Sequence, residues 1–372
     1  MSSKPYPEPL DLKKVKVYPL ATRDSLSSIE KILVDPEGRA PECEPGMKKE
    51  ILECAQRIGA ARKRGASVML IYGAHLIKNG ALQLVISLLE RGWVTHLATN
   101  GAGTIHDWEL AFQGRTEESV RKNVATGSFG TWNETGRDIH LALLAGGLRE
   151  EGYGRSLGRF IAEDGTTLPS AAELEKLLRE APGHPLAAAR AELLQAILVH
   201  KLPTGRIEVK HPHKATSILG QAFVHGVPLT VHPGVGYDII SNHPMFNGAA
   251  IGRAAEMDFR IFGRAVQQLD GGVVLSVGSA IMAPQVFEKS LSCVNNLRLQ
   301  AGRKIVQDHT LYVVDIQDGG NWNWDQGEPP KSNPAYYLRF CKSFARMGGE
   351  MRYLQCDNVA FLHNLLNDLR TV

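Results

Sequence analysis

The strongest constraint on the fold is a strand-turn-helix-strand-turn pattern over residues 66–107, which read ASVMLIYGAHLIKNGALQLVISLLERGWVTHLATNGAGTIHD. Two apolar, β-branched runs, at residues 68–72 and 94–99, each end in a small or polar turn, and a helical pattern joins them. Such a unit presents both turns at one edge of a parallel sheet. Ligands of open α/β sheets bind beyond that edge, so these turns are the first candidates for a functional site.

The alternation of strands and helices continues along the chain. A helix at residues 47–64 precedes the first strand. Four further strands are predicted at 228–231, 272–277, 310–315 and 351–355, and further helices at 215–224, 249–269, 284–301, 335–347 and 359–369. Six strands alternating with helices predict an α/β fold with a doubly wound, mainly parallel, Rossmann-like sheet of six or more strands.

One stretch interrupts this alternation. Residues 130–209 are rich in Ala, Leu, Glu and Arg, and the segments 171–179 and 186–199 have purely helical patterns. We therefore expect a helical insertion at about residues 130–210 within a single domain that spans residues 46–372. Residues 1–45 are expected to form an N-terminal arm.

Composition argues against several classes of protein. The chain has 372 residues, 43% of them hydrophobic, which is enough for a large buried core. Its 42 basic and 39 acidic residues include no basic run with interleaved aromatics, so a nucleic-acid partner is not expected. The five scattered cysteines form no C-x-x-C pair and suggest reduced thiols. Without a signal peptide or an apolar span of about 20 residues, a cytoplasmic protein with no membrane partner is expected.

The two turns of the 66–107 unit differ in what they offer a ligand. Gly73, Ala74 and His75 directly follow the first strand, where free backbone N–H groups favour an anion. A tight structural turn remains the alternative, because the full G-x-G-x-x-G fingerprint is absent. The second turn lacks side-chain bulk where a phosphate or ribose could approach the backbone, at Asn100, Gly101, Ala102 and Gly103. His106, Asp107 and Glu109 then add titratable groups.

Three later segments carry similar signals. In VHPGVGYDIISNHPMFNGAA, residues 231–250, Asp238 suits a ribose hydroxyl pair, whereas His232 and His243 have no third partner at a metal-ligand spacing, so no metal is expected. Gly278 and Ser279 follow the fourth strand in LSVGSAIMAP. In DIQDGGNWNWDQGEPP, residues 315–330, tryptophans beside carboxylates suit an amine through cation–π contact, and a lid that packs its tryptophans is the alternative.

These turns together resemble the deoxyhypusine synthase family over about residues 66 to 340, through YGAHLIKNG, THLATNGAGTIHD, VHPGVGYDI and VDIQDGGNWNWDQG. The resemblance implies NAD bound at a subunit interface of a homotetramer, and an enzyme that dehydrogenates spermidine before moving its aminobutyl group. One departure matters: Ala283 stands where that family has its catalytic lysine, and Lys289 is a poor substitute about one and a half turns further on. Without that amine a Schiff-base transfer is not expected.

A second resemblance fits this departure better. NGAGTIHDWELAFQG, with the glycine-rich TGSFGTWNETG that follows, is similar to the NAD-binding portion of archaeal-type ornithine cyclodeaminases and to the carboxyl-terminal region of arginine dihydrolase enzymes. In that group NAD oxidises an amine to an imine and later returns the hydride. The chemistry needs a base, for which His106 and His140 are candidates, and a carboxylate that holds the amine, for which Asp107 and Glu134 are candidates.

The sequence thus predicts an NAD-dependent enzyme, of the lyase, oxidoreductase or transferase type, that oxidises an amine-bearing carbon of an amino acid or polyamine. The alternatives are an aminobutyl transferase of the deoxyhypusine or homospermidine synthase kind and a non-catalytic nucleotide-binding oligomer. The predicted site residues are, for catalysis, His106, Asp107, Glu134 and His140; for the cofactor, Gly73, Ala74, His75, Asn100, Gly101, Ala102, Gly103, Asp238, Gly278, Ser279, Asp318 and Asp325; and for the substrate, His243, Asn247 and Trp322.

Overall fold

The computed structural model describes residues 6–372, so the first five residues of the predicted arm lie outside it. The six long strands are β2 (Val68–Tyr72), β3 (His96–Asn100), β7 (Leu229–His232), β8 (Val273–Val277), β9 (Thr310–Asp315) and β10 (Glu350–Gln355). Two short antiparallel pairs join β1 (Ser27–Ser28) to β4 (Arg115–Thr116) and β5 (Gly165–Leu168) to β6 (Gly205–Glu208).

The α-helices alternate with the strands. They are α1 (Ile29–Ile32), α2 (Pro45–Lys63), α3 (Ala74–Lys78), α4 (Leu82–Glu90), α5 (Gly101–Gln113), α6 (Val120–Ala125), α7 (Asn133–Gly147), α8 (Tyr153–Ala162), α9 (Ala171–Glu180), α10 (Ala187–His200), α11 (Ile218–Val224), α12 (Gly248–Gln267), α13 (Met282–Gln300), α14 (Arg339–Ala345) and α15 (Asn358–Leu369). Helices α7 to α10 and the β5–β6 pair occupy the stretch predicted as an insertion.

The six long strands form one sheet in the order β10-β9-β8-β2-β3-β7, and every neighbouring pair is parallel. The chain enters the sheet at its centre with β2, builds one half through β3 and β7, and then crosses to β8, β9 and β10. The predicted doubly wound, Rossmann-like α/β sheet is therefore confirmed. The strand order reverses between β2 and β8, and this switch point is where such sheets leave a crevice for a ligand.

The central strand shows why the sheet is buried on both faces. All five residues of β2 are buried, and their side chains alternate between two hydrophobic cores. Leu70 and Tyr72 belong to the larger core, whereas Met69 and Ile71 belong to the second, which also contains Phe262 of α12. Near-continuous apolar runs of this kind are typical of parallel strands covered by helices on both sides.

Two helix predictions were wrong in detail. The structure breaks the predicted helix 215–224 at Ser217, whose backbone is extended and whose hydroxyl accepts a hydrogen bond from the N–H of Gly220 at the start of α11. It divides the predicted helix 335–347 at Leu338, so that a 3-10 turn, Pro334–Tyr337, precedes the shorter α14. A serine N-cap offers the backbone an alternative to continuing a helix, which explains the first break.

The N-terminal arm packs onto the domain over its described residues. Its short strand β1 pairs with β4, and the backbone N–H of Leu20 donates to the Glu134 carboxylate at 2.7 Å. Leu20 itself is buried. The arm also brings Arg23 into the interior, where it takes part in the site described below. Within residues 6–372, no helix is both long and apolar enough to cross a membrane.

Candidate functional site

A cavity of about 260 Å³ opens beyond the carboxyl ends of β3 and β7. Helix α5 supplies Ala102, Ile105, His106 and Glu109 to its wall, and Lys78 comes from the end of α3. The remaining lining residues come from the arm, from the segment around α6 and from the loop after β7: Arg23, Glu117, Glu118, Val120, Phe129, Tyr237, Asp238 and Ile239. We call this the His106 cavity.

A buried ion pair forms the floor of the His106 cavity. The guanidinium of Arg23 donates two parallel hydrogen bonds to the Glu109 carboxylate, Nη1 to Oε1 and Nη2 to Oε2, both at 2.7 Å. The hydroxyls of Thr116 and Thr135 donate to the same carboxylate at 2.6 and 2.9 Å. Both charged side chains are 1% exposed, so the pair depends on this complete set of partners.

These contacts fix the protonation pattern of His106. Its Nδ1 lies 2.7 Å from the Thr116 hydroxyl. Because the only hydrogen on that hydroxyl goes to Glu109, the oxygen accepts from His106, so Nδ1 carries the proton and Nε2 carries a lone pair. Burial lowers the pKa of His106, with Glu109 opposing that shift. His106 is therefore neutral at pH 7, with one nitrogen able to accept a proton in a cavity.

Asp238 fills the space that the glycines of the second turn leave open. A Cβ on Gly101 would lie 2.0 Å from Asp238 Oδ2, and one on Gly103 would lie 2.2 Å from the Thr99 hydroxyl. The Asp238 carboxylate accepts from the N–H of Gly234 at 2.8 Å and from the N–H of Ala102. The room that the sequence suggested for a phosphate or ribose is thus taken here by the protein's own groups. Burial raises the pKa of Asp238 to about 6.

Acidic groups outnumber basic ones in this cavity. Glu117 pairs with Lys78 at 2.5 Å. Glu118 accepts from the Trp132 indole at 2.9 Å, which secures the glycine-rich segment that follows α6. With Glu109 and Asp238 there are four carboxylates against the two cations Arg23 and Lys78. A ligand that carries positive charge is favoured by this balance.

A second cavity, of about 320 Å³, lies at the switch point. The ends of β2 and β8 touch there: the N–H of Gly73 donates to the carbonyl of Val277, and a Cβ on Gly73 would lie 2.1 Å from the carbonyl oxygen of Gly278. Gly278 has a φ of +59°, which also favours glycine. The cavity is lined by His75, Asn79, Gly278, Asp315, Ile316, Gln317, Asp357 and Asn358. We call it the switch-point cavity.

Helix α3 connects the two cavities. Its first residues, Ala74 and His75, follow β2 directly, and Lys78 at its end lines the His106 cavity while His75 lines the switch-point cavity. The structure thus divides these predicted residues into two groups, one at the switch-point end of β2 and one at the end of β3 near the His106 cavity. One group contains Gly73, Ala74, His75 and Gly278; the other contains Asn100, Gly101, Ala102, Gly103, His106 and Asp238.

Asp107 and Ser279 accept hydrogen bonds from backbone N–H groups at the starts of helices, and neither residue lines the His106 cavity or the switch-point cavity. Asp107 is 1% exposed, and its oxygens accept from the N–H groups of Ile218 and Leu219 at the start of α11, at 3.2 and 2.7 Å. Burial raises the pKa of Asp107 to about 7. The hydroxyl of Ser279 accepts from the N–H of Ala283 at 3.3 Å. Both geometries satisfy backbone groups that helix ends leave without partners.

His140, Glu134 and two predicted substrate residues, His243 and Asn247, line neither the His106 cavity nor the switch-point cavity. The rings of His140 and His243 stack with centroids 6.3 Å apart, and burial lowers their pKa values to about 4 and about 3. Glu134 accepts from the arm, as described above, and Asn247 caps α12 by accepting from the N–H of Ala250 at 2.9 Å. We therefore expect structural roles for these four residues.

The tryptophan segment after β9 lies at the opposite edge of the sheet. Trp322 and Asp325 line a third cavity together with residues of β10, which pairs only with β9. Asp318 is exposed, and its carboxylate accepts from the N–H of Gly320 at 2.8 Å within its own turn. The structure does not bring these three residues to the switch-point cavity or to the His106 cavity.

Sequence reasoning missed several residues that the structure places at the two cavities. Arg23 comes from the arm, and no local pattern connects it with Glu109, 86 positions away. Lys78 lies in the segment GAHLIKNG after the first strand, where the sequence analysis predicted only Gly73, Ala74 and His75 as site residues. Asp315 is the last residue of β9, and Asp357 lies two residues after the end of β10, so a search for carboxylates at strand ends would have found both.

Comparison with known proteins gave structural likenesses only. No protein-family model matches the chain. No curated protein matches either. Among solved structures, ArgZ, an arginine dihydrolase from the ornithine-ammonia cycle in cyanobacteria, is similar at 12% identity with a TM-score of 0.42, over 88% of this chain and 32% of ArgZ.

Two other likenesses are of the same strength. AgrE, crystallised as a ternary complex with ornithine and NAD⁺, is similar at 12% identity with a TM-score of 0.43, over 89% of this chain and 34% of AgrE. A conserved LOR/SDH protein from Methanococcus maripaludis S2 is similar at 14% identity with a TM-score of 0.41, over 91% of this chain and 74% of that protein. This chain thus spans about a third of the length of ArgZ and AgrE. The two family resemblances drawn from the sequence remain predictions.

Proposed function

We propose that the protein is an NAD-dependent enzyme that oxidises the amine-bearing carbon of a small metabolite, with a basic amino acid or a polyamine as the substrate class. The observation that carries the proposal is the pairing of two cavities across α3, one at the switch point of a doubly wound sheet and one around a neutral histidine. The first position is where dinucleotides bind in sheets of this strand order. The second offers a base beside it.

The donors and acceptors of the switch-point cavity fit a dinucleotide. Asp315 and Asp357 are carboxylates at strand ends, and a carboxylate can accept both hydroxyl hydrogens of a ribose. Asn79 and Asn358 supply amide groups that could bind a base edge or a carboxamide. Ile316, 71% exposed, provides an apolar surface for a planar ring. Gly73 and Gly278 keep the strand ends free of side chains.

Bound NAD would supply a hydride acceptor, and the protein's residues would prepare the amine. The Nε2 lone pair of His106 accepts a proton from the substrate ammonium, which yields the neutral amine that can lose hydride from its carbon. The His106 cavity contains more carboxylates than cationic side chains, which favours binding of the substrate with its amine protonated. Asp238 is the carboxylate we assign to hold it, and the ribose contact inferred from the sequence is the competing role for this residue.

Transfer of an aminobutyl group through an imine with a lysine side chain is disfavoured, because Ala283 stands where the resemblance to deoxyhypusine synthase would place that lysine. Ala283 is fully buried at the start of α13, and Lys289 forms a surface ion pair with Glu288. Hydride loan from an amine needs no lysine nucleophile there. The aminobutyl transferase and the non-catalytic nucleotide-binding oligomer remain the alternatives that an assay must separate. A homo-oligomer, and a tetramer in particular, also stays a prediction.

Two measurements test the proposal. Calorimetry on the purified protein should show saturable NAD binding, and Asp315→Asn should weaken it about tenfold by removing a charged acceptor. Ornithine or spermidine added with NAD should then produce reduced NAD, measured at 340 nm. A folded protein that binds no NAD would end the proposal. NAD binding without reduction across a panel of amines would favour the non-catalytic alternative, and labelled aminobutyl transfer from spermidine would favour the transferase.

The role of Asp238 is decided by the same assays. If Asp238 holds the amine, Asp238→Asn raises KM for the amine about tenfold or more and leaves the NAD dissociation constant unchanged. If it binds ribose, the NAD dissociation constant rises instead. From the sequence we expect Asp238 to bind the ribose, so that Asp238→Ala abolishes NAD binding.

A further inference from the structure

The cavity at the β10 edge of the sheet is a third, separate pocket. It has a volume of about 320 Å³ and lies between the first turns of α2, the middle of β10 and the loop after β9. The His106 cavity lies beyond the end of β3, and β3 is four strand positions away from β10 in the sheet. Four spacings between parallel strands amount to about 19 Å. Its lining is Gly46, Met47, Glu50, Asn321, Trp322, Asn323, Trp324, Asp325, Met351, Arg352, Tyr353 and Leu354. We call it the tryptophan cavity.

Two of its polar groups are buried without a partner in the described chain. The side chain of Trp324 is 6% exposed, and its indole N–H donates to no acceptor among residues 6–372. One carboxylate oxygen of Glu50, Oε2, is also buried and accepts no hydrogen bond there. Trp322 differs, since its indole N–H donates to the carbonyl of Gly327 at 2.9 Å. Buried polar groups are rarely left in this state unless another molecule completes them.

The two unpartnered groups call for opposite partners. The Trp324 N–H needs an acceptor such as a carboxylate oxygen, whereas the Glu50 oxygen needs a donor such as an ammonium. The same cavity contains the aromatic faces of Trp322 and Tyr353 beside the Asp325 carboxylate, a combination that attracts a second cation. A molecule with a carboxylate, an ammonium and a cationic side chain has all of these features.

We propose that the tryptophan cavity binds a basic α-amino acid, at a site distinct from the His106 cavity. The ligand carboxylate accepts from Trp324 Nε1, its α-ammonium donates to Glu50, and its side-chain cation lies against Trp322 near Asp325. The proposal does not depend on the function proposed above, because no residue of the tryptophan cavity lines the other two cavities. It also gives the tryptophan segment a ligand without placing it at the switch point.

The probe is L-arginine, titrated by calorimetry into the full chain without NAD or amine. We expect saturable binding at the tryptophan cavity, which the variants below separate from any binding at the His106 cavity. L-citrulline, which has a neutral side chain, and agmatine, which has no carboxylate, should each bind at least tenfold more weakly. Loss of one hydrogen bond to a charged group accounts for a change of this size.

Variants locate the event. Trp324→Phe removes the indole N–H donor together with part of the ring, and Glu50→Gln removes the charge of the acceptor, so each should weaken L-arginine binding at least tenfold. Trp93→Phe is the matched control, since Trp93 is a half-buried tryptophan outside all three cavities and should leave the binding unchanged. Circular dichroism establishes folding, and Glu50→Gln decides the result if Trp324→Phe does not fold. Absence of binding, or binding that both cavity variants leave unchanged, would overturn the proposal.

Discussion

Gly101 lies directly against the carboxylate of Asp238, so closely that an added Cβ would be 2.0 Å from Oδ2. The glycine begins α5, and the aspartate comes from the loop after β7, so this contact joins the carboxyl ends of two neighbouring strands. Asp238 is 4% exposed and cannot move aside without leaving its backbone partners Gly234 and Ala102. The shape of the His106 cavity therefore depends on the absence of one methyl group.

Gly101→Ala should displace Asp238 and destabilise the protein. Forcing a methyl group into a packed site costs about 1–3 kcal/mol, which urea denaturation measures as a fall in the free energy of unfolding. Gly263→Ala is the control: apart from its own helix backbone, no atom of residues 6–372 lies within 4 Å of a Cβ added to this helical glycine, and alanine should stabilise α12 by about 0.5–1 kcal/mol. Equal effects of the two substitutions would contradict the assigned contact.

Thr116→Val should impair His106 without removing it. Valine keeps the shape of threonine but cannot accept from Nδ1–H or donate to Glu109. Under the proposed function, kcat for the amine substrate should fall about tenfold to a hundredfold, less than the roughly 10²–10⁴-fold expected for loss of the base itself. Thr116→Ser, which keeps the hydroxyl, should restore most of the activity.

The same substitution has a readout that needs no substrate. Nitrogen NMR should show the wild-type His106 protonated on Nδ1 at pH 7, and Thr116→Val should populate both tautomers. A wild-type ring protonated on Nε2 would show that the relay through Thr116 does not operate.

Glu109→Gln should strongly destabilise the fold. It leaves the Arg23 guanidinium, 1% exposed, without a compensating charge, and breaking a buried pair in this way costs about 3–5 kcal/mol. Glu180→Gln is the surface control, because the Lys176–Glu180 pair is more than half exposed and should contribute less than about 1 kcal/mol. Chemical denaturation of both variants checks the difference, and a loss at Glu109 as small as that at Glu180 would contradict it.

Stability should fall as pH falls from about 6.5 towards 4. Five histidines are held neutral by burial, which lowers their pKa values to about 3 or 4 from an unfolded value near 6.5. In that window the unfolded chain binds protons that the folded chain excludes, so acid favours unfolding. The histidines are His96, His140, His211, His232 and His243.

Three buried aspartates oppose this trend. Burial raises the pKa values of Asp107 and Asp258 to about 7 and that of Asp238 to about 6, so the folded chain binds protons between pH 4 and 7 that the unfolded chain does not. Their stabilisation is present at low pH and is lost as pH rises. Burial also raises the pKa of a fourth aspartate, Asp138, and lowers the pKa values of His106 and His309, so the histidines still outnumber the aspartates and we expect a net loss of stability towards acid, on the order of 1 kcal/mol per pH unit. Urea denaturation at pH 7, 6 and 5 measures how the free energy of unfolding changes with pH. A free energy of unfolding that rises towards pH 5 would contradict the prediction.

The sequence predicted the sheet well because parallel strands are buried on both faces and so appear as unbroken apolar runs. β2 and β9 begin and end at the predicted residues, and the other strands differ by one or two positions. The breaks at Ser217 and Leu338 were missed because helical periodicity continues across them, while a cap or a local backbone conformation decides the boundary.

The site was less predictable because its contacts are long-range. Gly101, His106 and Asp238 were predicted because they lie in the segments that follow β3 and β7. These segments lie close together because the two strands are paired in parallel. Arg23 and Lys78 reach the same cavity from elements whose packing no local pattern specifies. The resemblance to the deoxyhypusine synthase family placed Asp318 and Asp325 at the cofactor and Trp322 at the substrate, yet Trp322 and Asp325 line a cavity at the edge of the sheet.

The placement of Arg23 has a consequence for the order in which the molecule matures. Arg23 is synthesised before its partners, because the carboxylate and the hydroxyls that receive its guanidinium belong to segments made about 90 to 110 residues later. A nascent chain therefore carries a cation with no place to be buried until α5, β4 and α7 have left the ribosome. The floor of the His106 cavity therefore forms by a late docking event, in which Arg23 binds to segments that are synthesised after it.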